Sequence, residues 1–347
     1  MTRRERLLTV FDRRVPDRVP IGMDCWPATR SAIYAHYGAK SHYDFYEKSG
    51  VENFSLWDWP VYEPAYKGPE RPGIKHYTLA TGIWGSMPEI FYPMEANYGE
   101  YRWPRADDFD FGGARAAMRE AHEYDMVSIG AHVSAGLTHH IRVRGYECAM
   151  LDVLDGAFMD DYMGRLREYY LSFLAALFGE TRGLMDVMRC DEDAGGNDCL
   201  LINPETWRKW YKPLWKELFG LCHENGVKVW LHSCGYCRSI VEDFIDCGAD
   251  ILDPVPPYVA GSDPLEMKTL FGGRICLHGG VDHINAMVYG TPAAVREEVR
   301  LRMAQMKPGG GYICGASQVL TDQMPLANIV EFFESAKEYG VYEGSIV

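Results

Sequence analysis

The sequence predicts an α/β fold, a (β/α)8 TIM barrel with a long insertion after its second strand. Two observations predict it. Short apolar runs alternate with amphipathic helical stretches along the chain, the pattern of a parallel sheet with crossover helices, and eight such runs can be counted. A third observation removes the doubly wound open sheet: no G-x-G-x-x-G follows any of the runs. A barrel of this type needs about 250 residues, so a chain of 347 residues has room for an excursion.

Taken in order, the first strand is 18–23 (RVPIGM) and the second 51–56 (VENFSL). Residues 58–112, rich in Trp, Tyr, Pro and Gly, fit the insertion. The third and fourth strands are 126–133 (MVSIGAHV) and 183–190 (GLMDVMRC). Asn203-Pro204-Glu205 then opens a helix running to about Asn225, with Asn203 as N-cap and Pro204 at the first helical position, and Gly226 closes it. Strands follow at 226–232, 250–255 and 274–278. Thr291-Pro292 opens a helix over 292–306, where Glu297, Glu298 and Arg300 are spaced for solvent-facing pairs. The eighth strand is 311–316, and a last helix over 326–338 ends at Gly340. No charge run, Ser/Gly linker or internal repeat divides the chain, so residues 1–347 read as a single domain.

Charge and cysteine content narrow the function. With 35 Lys+Arg against 49 Asp+Glu the net charge is −14, the wrong sign for a general grip on phosphate backbones, so no nucleic-acid partner is expected. No run of about 18 apolar residues is present to span a membrane. The start, MTRRERLLTVFDRR, lacks an apolar h-region. The setting expected is therefore cytoplasmic, where the ten cysteines stay reduced as small hydrophobes or metal ligands. Cys234-Gly-Tyr-Cys237 has the spacing of a redox dithiol but not the thioredoxin-type context.

In such a barrel the chemistry sits at the carboxyl ends of the strands. Those ends carry Asp24, Trp57-Asp58, His132, Arg189-Cys190-Asp191-Glu192-Asp193, His232-Ser233-Cys234, Asp253, His278 and Cys314. The sharpest set is His232 and Cys234 with the distant Cys314. An imidazole and two thiolates suit Zn2+ and leave a fourth position open, the catalytic pattern. Residues i and i+2 of a strand share a face, which lets His232 and Cys234 meet one ion. Glu192 and Asp193 form an acidic pair suited to acid–base work or to a further ligand, with an ion pair to Arg189 as the plainer alternative. His278 and Asp24 are further candidates for catalytic roles. Nine Trp and 22 Tyr, some of them in 57–103, allow an aromatic-lined pocket.

Several blocks together resemble the uroporphyrinogen decarboxylase superfamily over nearly the whole chain: TRRERLLTVFDRRVPDRVPIGM, RCDEDAGGNDCLLINPETWRKWYKP, VWLHSCGYCRSIVEDFIDCGADILDPV, ICLHGGVD with GTPAAVREEVRLRM, and the ending PGGGYICGASQVLTDQMPLANIVEFFESAKEYG. The resemblance implies a barrel, and an enzyme of one of two kinds. The porphyrinogen decarboxylases carry an R-Q-A-G-R-Y block after the first strand, where this chain reads MDCWPATR. The zinc methyltransferases carry an H-x-C…C signature that His232, Cys234 and Cys314 can supply, although their third cysteine aligns with Cys314 or nearer Ser317. The implied activity is methyl transfer between a small substrate, an aromatic methyl ether as first choice, and the corrinoid of a transient partner protein. His232, Cys234 and Cys314 would hold zinc, while Glu192, Asp193 and His278 would orient substrate or exchange a proton. The alternatives are a metal-free tetrapyrrole decarboxylase with Asp24 or Asp58 as its acid, and a non-catalytic corrinoid- or tetrapyrrole-binding barrel.

Overall fold

The computed structural model describes residues 1–52, 61–62, 64–68 and 103–342. Helix α1 (Arg3–Phe11) opens on a capping box in which Thr2 and Glu5 satisfy each other's backbone N–H groups. The first predicted strand then runs extended. Ile21 bridges Cys314 in parallel, with Gly22 N–H donating to Cys314 O (2.8 Å) and Cys314 N–H to Pro20 O (2.9 Å). After α2 (Pro27–Tyr37) and α3 (His42–Ser49), Glu52 N–H donates to Ile21 O on the other side (3.0 Å). Beyond residue 52 the predicted second strand lies outside the described residues, as do Trp57 and Asp58.

The remaining barrel strands are β1 (Val61–Tyr62), β4 (Ile129–Val133), β5 (Val187–Asp191), β6 (Lys228–His232), β7 (Ile251–Val255), β8 (Cys276–Val281) and β9 (Tyr312–Ala316). They pair in that order, parallel at every step. With the segment around Ile21 beside β9, this is the eight-stranded α/β barrel the sequence predicts. One boundary moves: β1 belongs to the barrel sheet although the sequence reading places it within the insertion. Inside that insertion, β2 (Ala65–Tyr66) and β3 (Phe109–Asp110) form a small antiparallel ladder of their own.

Helices α4 (Ala114–Glu123), α5 (Leu137–Arg144), α6 (Tyr146–Asp152) and α7 (Gly156–Thr181) connect β3, β4 and β5. The helix predicted from Asn203 to Asn225 is two, α8 (Pro204–Trp210) and α9 (Lys212–Glu224), with Tyr211 at the junction. Pro213 has no N–H to continue the ladder, which accounts for the break. Asn203 caps α8 by accepting from Glu205 N–H (2.8 Å), a contact worth about 1 kcal/mol. After α10 (Val241–Cys247) and α11 (Pro264–Phe271), α12 (Pro292–Met306) has the predicted bounds, and α13 (Leu326–Gly340) takes in Gly340 as its last residue. Among the described residues, no helix is long and apolar enough to cross a membrane.

Strand alternation divides two cores. Val187, Ile129, Trp230, Ile251, Cys276 and Ile313 form one cluster with Leu7, Val10 and Phe11 of α1; these residues fill the lumen floor, and α1 closes it from below. Their neighbours Met188, Val229, Leu231, Leu252, Leu277, Tyr312 and Cys314 belong to the larger core beneath the helices. Because side chains alternate with period two, the residues two places beyond the floor also face the lumen: Arg189, His232, Asp253, His278 and Gly315.

Candidate metal centre

One rung of the sheet carries most of the chemistry. Asp191 pairs with His232, and His232 with Asp253, across β5, β6 and β7. His278 joins from β8, its Nδ1 within hydrogen-bond distance of Asp253 Oδ1. His232 Nδ1 lies 2.7 Å from Asp253 Oδ2. The Arg189 guanidinium spans Asp253 (3.2 Å) and Asp191 (3.1 Å) and lies 4.9 Å over the Trp230 ring. Arg189 thus turns to Asp191 and Asp253 rather than to the Glu192-Asp193 pair. For Asp253 burial is the largest influence, but the charges of both histidines and their hydrogen bonds outweigh it and hold the carboxyl well below its ordinary range.

Above this rung two loops bring together three side chains that could hold a metal ion. Asp193, His232 and Cys234 each offer one donor atom, and these lie within 4.8 Å of one another. Cys234 Sγ is 3.3 Å from Asp193 Oδ1, which also accepts the Cys234 backbone N–H (3.1 Å); His232 Nε2 is 3.7 Å from the same oxygen. Strand alternation does not account for this pairing, because β6 ends at His232 and Cys234 lies on the loop beyond. Backbone packing sets it instead. Tyr236 N–H donates to Gly196 O (2.6 Å), a Cβ on Gly195 would stand 2.0 Å from Tyr236 O, and Gly235, at φ +79°, lies against Gly195 and Gly196. Only glycine permits so close an approach at these positions. Thr138 Oγ1 accepts Asp193 N–H (2.6 Å) and anchors the acidic loop from α5.

Cys314 is not among these donors. Ile313 faces the lumen, so Cys314 faces the helices, fully buried, and burial pushes its thiol up to about 12. This corrects the expected grouping of His232, Cys234 and Cys314: strand parity puts that thiol on the other face of the sheet, and the third donor atom beside His232 and Cys234 is that of Asp193. Ser317 is committed elsewhere, its hydroxyl donating to Val281 O (2.8 Å).

Glu192 is separated from its neighbour Asp193. It is fully buried behind the amino end of α5, accepting from Leu137 N–H (3.1 Å) and Trp207 Nε1–H (2.6 Å). Burial raises it to about 7, against the pull of those donors. His278 packs edge-on to Trp230 and close to Gly22 and Gly315, where a Cβ would come within 2.4 and 2.7 Å of its Nε2. Asp24 lies where the first strand meets the segment after β9, its carbonyl accepting Leu320 N–H (2.7 Å). Asp253 carries more of the site than the sequence reading gave it. The signal is available in the sequence: an Asp inside a predicted strand, flanked on the sheet by two predicted strands, 226–232 and 274–278, that end in His.

The donor set fits zinc on its chemistry. A nitrogen, a sulfur and an oxygen donor make a borderline set with room for a further ligand. Burial raises the Cys234 thiol above its ordinary range and the Asp193 charge adds to it, against the pull of the His232 hydrogen bond. A divalent ion between the three would reverse that balance.

Residues 171–339 match the uroporphyrinogen decarboxylase (URO-D) family. Over those residues, just under half of its length, the chain is similar to that family. The matched stretch runs from within α7 through α13 and holds Glu192, Asp193, His232, Cys234, Asp253 and His278. Among solved structures, a methyltransferase from Methanosarcina mazei is similar over 98% of this chain and 99% of its own, with a TM-score of 0.67 and 16% identity, a likeness of fold. A dihydropteroate synthase from Xanthomonas albilineans overlaps 54% of this chain and 59% of its own at 10% identity, with a TM-score of 0.29, and carries no argument. No curated protein matches the sequence. Since one barrel fold can host more than one chemistry, function has to be argued from the site.

Proposed function

We propose that this single-domain protein is a zinc-dependent methyltransferase that moves a methyl group between a small substrate and the corrinoid of a partner protein, with an aromatic methyl ether as the first substrate to test. The observation that carries the reading is the Asp193, His232 and Cys234 donor set at the carboxyl ends of the barrel strands. These three residues would hold the ion. When bound, zinc supplies Lewis acidity that stabilises negative charge on the atom the methyl group leaves. The chain's own groups do the rest. Asp253 and Arg189 form a buried polar floor beneath His232. His278 stands beside them, tied through Nδ1 to Asp253. Glu192, at about 7, sits in the range where a carboxyl can either hold or release a proton near neutrality. The fold shared with a methyltransferase is consistent with this reading.

Elemental analysis of the purified protein tests it first. About one zinc per chain is expected, with loss in Cys234→Ser and in Asp193→Ala. Protein without zinc, or zinc content unchanged in Cys234→Ser, sinks the reading. An anaerobic assay with reduced corrinoid and methoxyaromatic compounds then tests the chemistry, and no methyl loss from ethers, amines or thiols would refute the transfer step.

A further inference from the structure

Asp253 is 4% exposed and has two oxygens and three neighbours that can donate to them. Its Oδ2 takes His232 Nδ1 (2.7 Å) and Arg189 Nη1 (3.2 Å), and its Oδ1 takes His278 Nδ1. A carboxylate has only lone pairs to offer, so each Nδ1 facing it must carry the hydrogen. That leaves Nε2 of each ring for other partners. Nε2 of His232 faces Asp193 Oδ1 at 3.7 Å, inside the donor set. Nε2 of His278 is directed at the backbone of Gly22 and Gly315, whose missing side chains make the space for it.

We propose that Asp253 is a positioning residue that fixes both imidazoles with Nδ1–H toward itself, delivering His232 Nε2 to the metal-binding atoms and tying His278 to the same carboxylate. The inference rests on the zinc reading of the site only for what His232 Nε2 then does. An asparagine in its place has one acceptor oxygen and an amide that donates. The two rings approach different oxygens, so with an NH2 in place of one of them at least one Nδ1 must give up its hydrogen or lose its partner. Carboxylates in this position behind a metal-bound histidine change metal affinity by 10–100-fold when removed.

The test uses the full chain with 15N-labelled histidine, the two rings assigned by His232→Gln and His278→Gln. In the metal-free wild type at alkaline pH, both Nδ1 atoms are expected to be protonated. A bare Nδ1 on either ring overturns the proposal, with no mutant at Asp253 needed. In folded Asp253→Asn, one ring is expected to change its nitrogen pattern and zinc affinity, read by competition with a chromophoric chelator, to fall 10–100-fold. An unchanged pattern with unchanged affinity also overturns it. If the wild type takes up no zinc, the methyltransferase reading fails while the ring measurement still decides the role of Asp253.

Discussion

Replacing Glu192 by Gln should make the protein gain stability relative to wild type as the pH rises. The carboxyl is fully buried and sits at about 7 in the folded chain against an ordinary 4.5, a difference of about 2.5 units. At about 1.36 kcal/mol per unit this amounts to about 3 kcal/mol. The raised value means that the folded state holds its proton where the unfolded chain has released it. Stability from this group is therefore complete below about pH 4.5, falls as the pH rises toward 7, and levels off above it. Glutamine keeps the oxygen that accepts from Leu137 N–H and Trp207 Nε1–H but does not ionise. The difference in unfolding free energy, variant minus wild type, should grow by about 3 kcal/mol between pH 4.5 and pH 8. Urea denaturation of both proteins across that range, with a chelator present to exclude metal uptake, measures it. Other titrating groups cancel in the difference. Two stability curves that run parallel with pH would refute the reasoning and place the carboxyl among ordinary exposed acids.

Cys314→Ser should leave zinc content untouched, because the thiol faces the helices, yet lower stability by about 1–3 kcal/mol by placing a hydroxyl in an apolar site; zinc lost together with Cys314 would restore it as a ligand. Gly195→Ala sets a Cβ against a backbone oxygen that has no rotamer to yield, so the acidic loop and the Cys234 loop must separate. At least tenfold weaker zinc binding is expected by chelator competition, on the scale seen when the supports of metal ligands are disturbed, and undiminished affinity would contradict the packing argument.

Much of this was legible from residues alone, for identifiable reasons. Strand ends announce themselves where an apolar run stops at a polar residue, and six of the eight predicted runs coincide with β4 through β9 to within a few residues. Helix α12 was bounded correctly because Thr291 and Pro292 carry the cap in their own chemistry. Cys314 misled because Tyr312-Ile313-Cys314 is apolar at every position, as strands buried on both faces are, and such a run does not reveal which side chains face the lumen. Sequence leaves Asp193 open between acid–base work and a further ligand, because what brings it to Cys234 is the contact between two glycine loops 40 residues apart, Gly195-Gly196 and Gly235. Sequence spacing holds no record of such a contact. Glu192 and Asp193, adjacent in the chain, were read as one pair, yet they end in unlike surroundings.

The plug that Leu7, Val10 and Phe11 make under the strands bears on the timing of any reaction in the lumen. With its floor sealed, the barrel is a cup rather than a passage, and whatever enters must leave by the same rim. Two reactants of unequal size cannot approach from opposite ends. The smaller has to be seated before the larger covers the opening, and its product can depart only after the cover lifts. For the two reactants of the proposed transfer, ordered binding would follow from a helix of nine residues at the other end of the barrel from the candidate site.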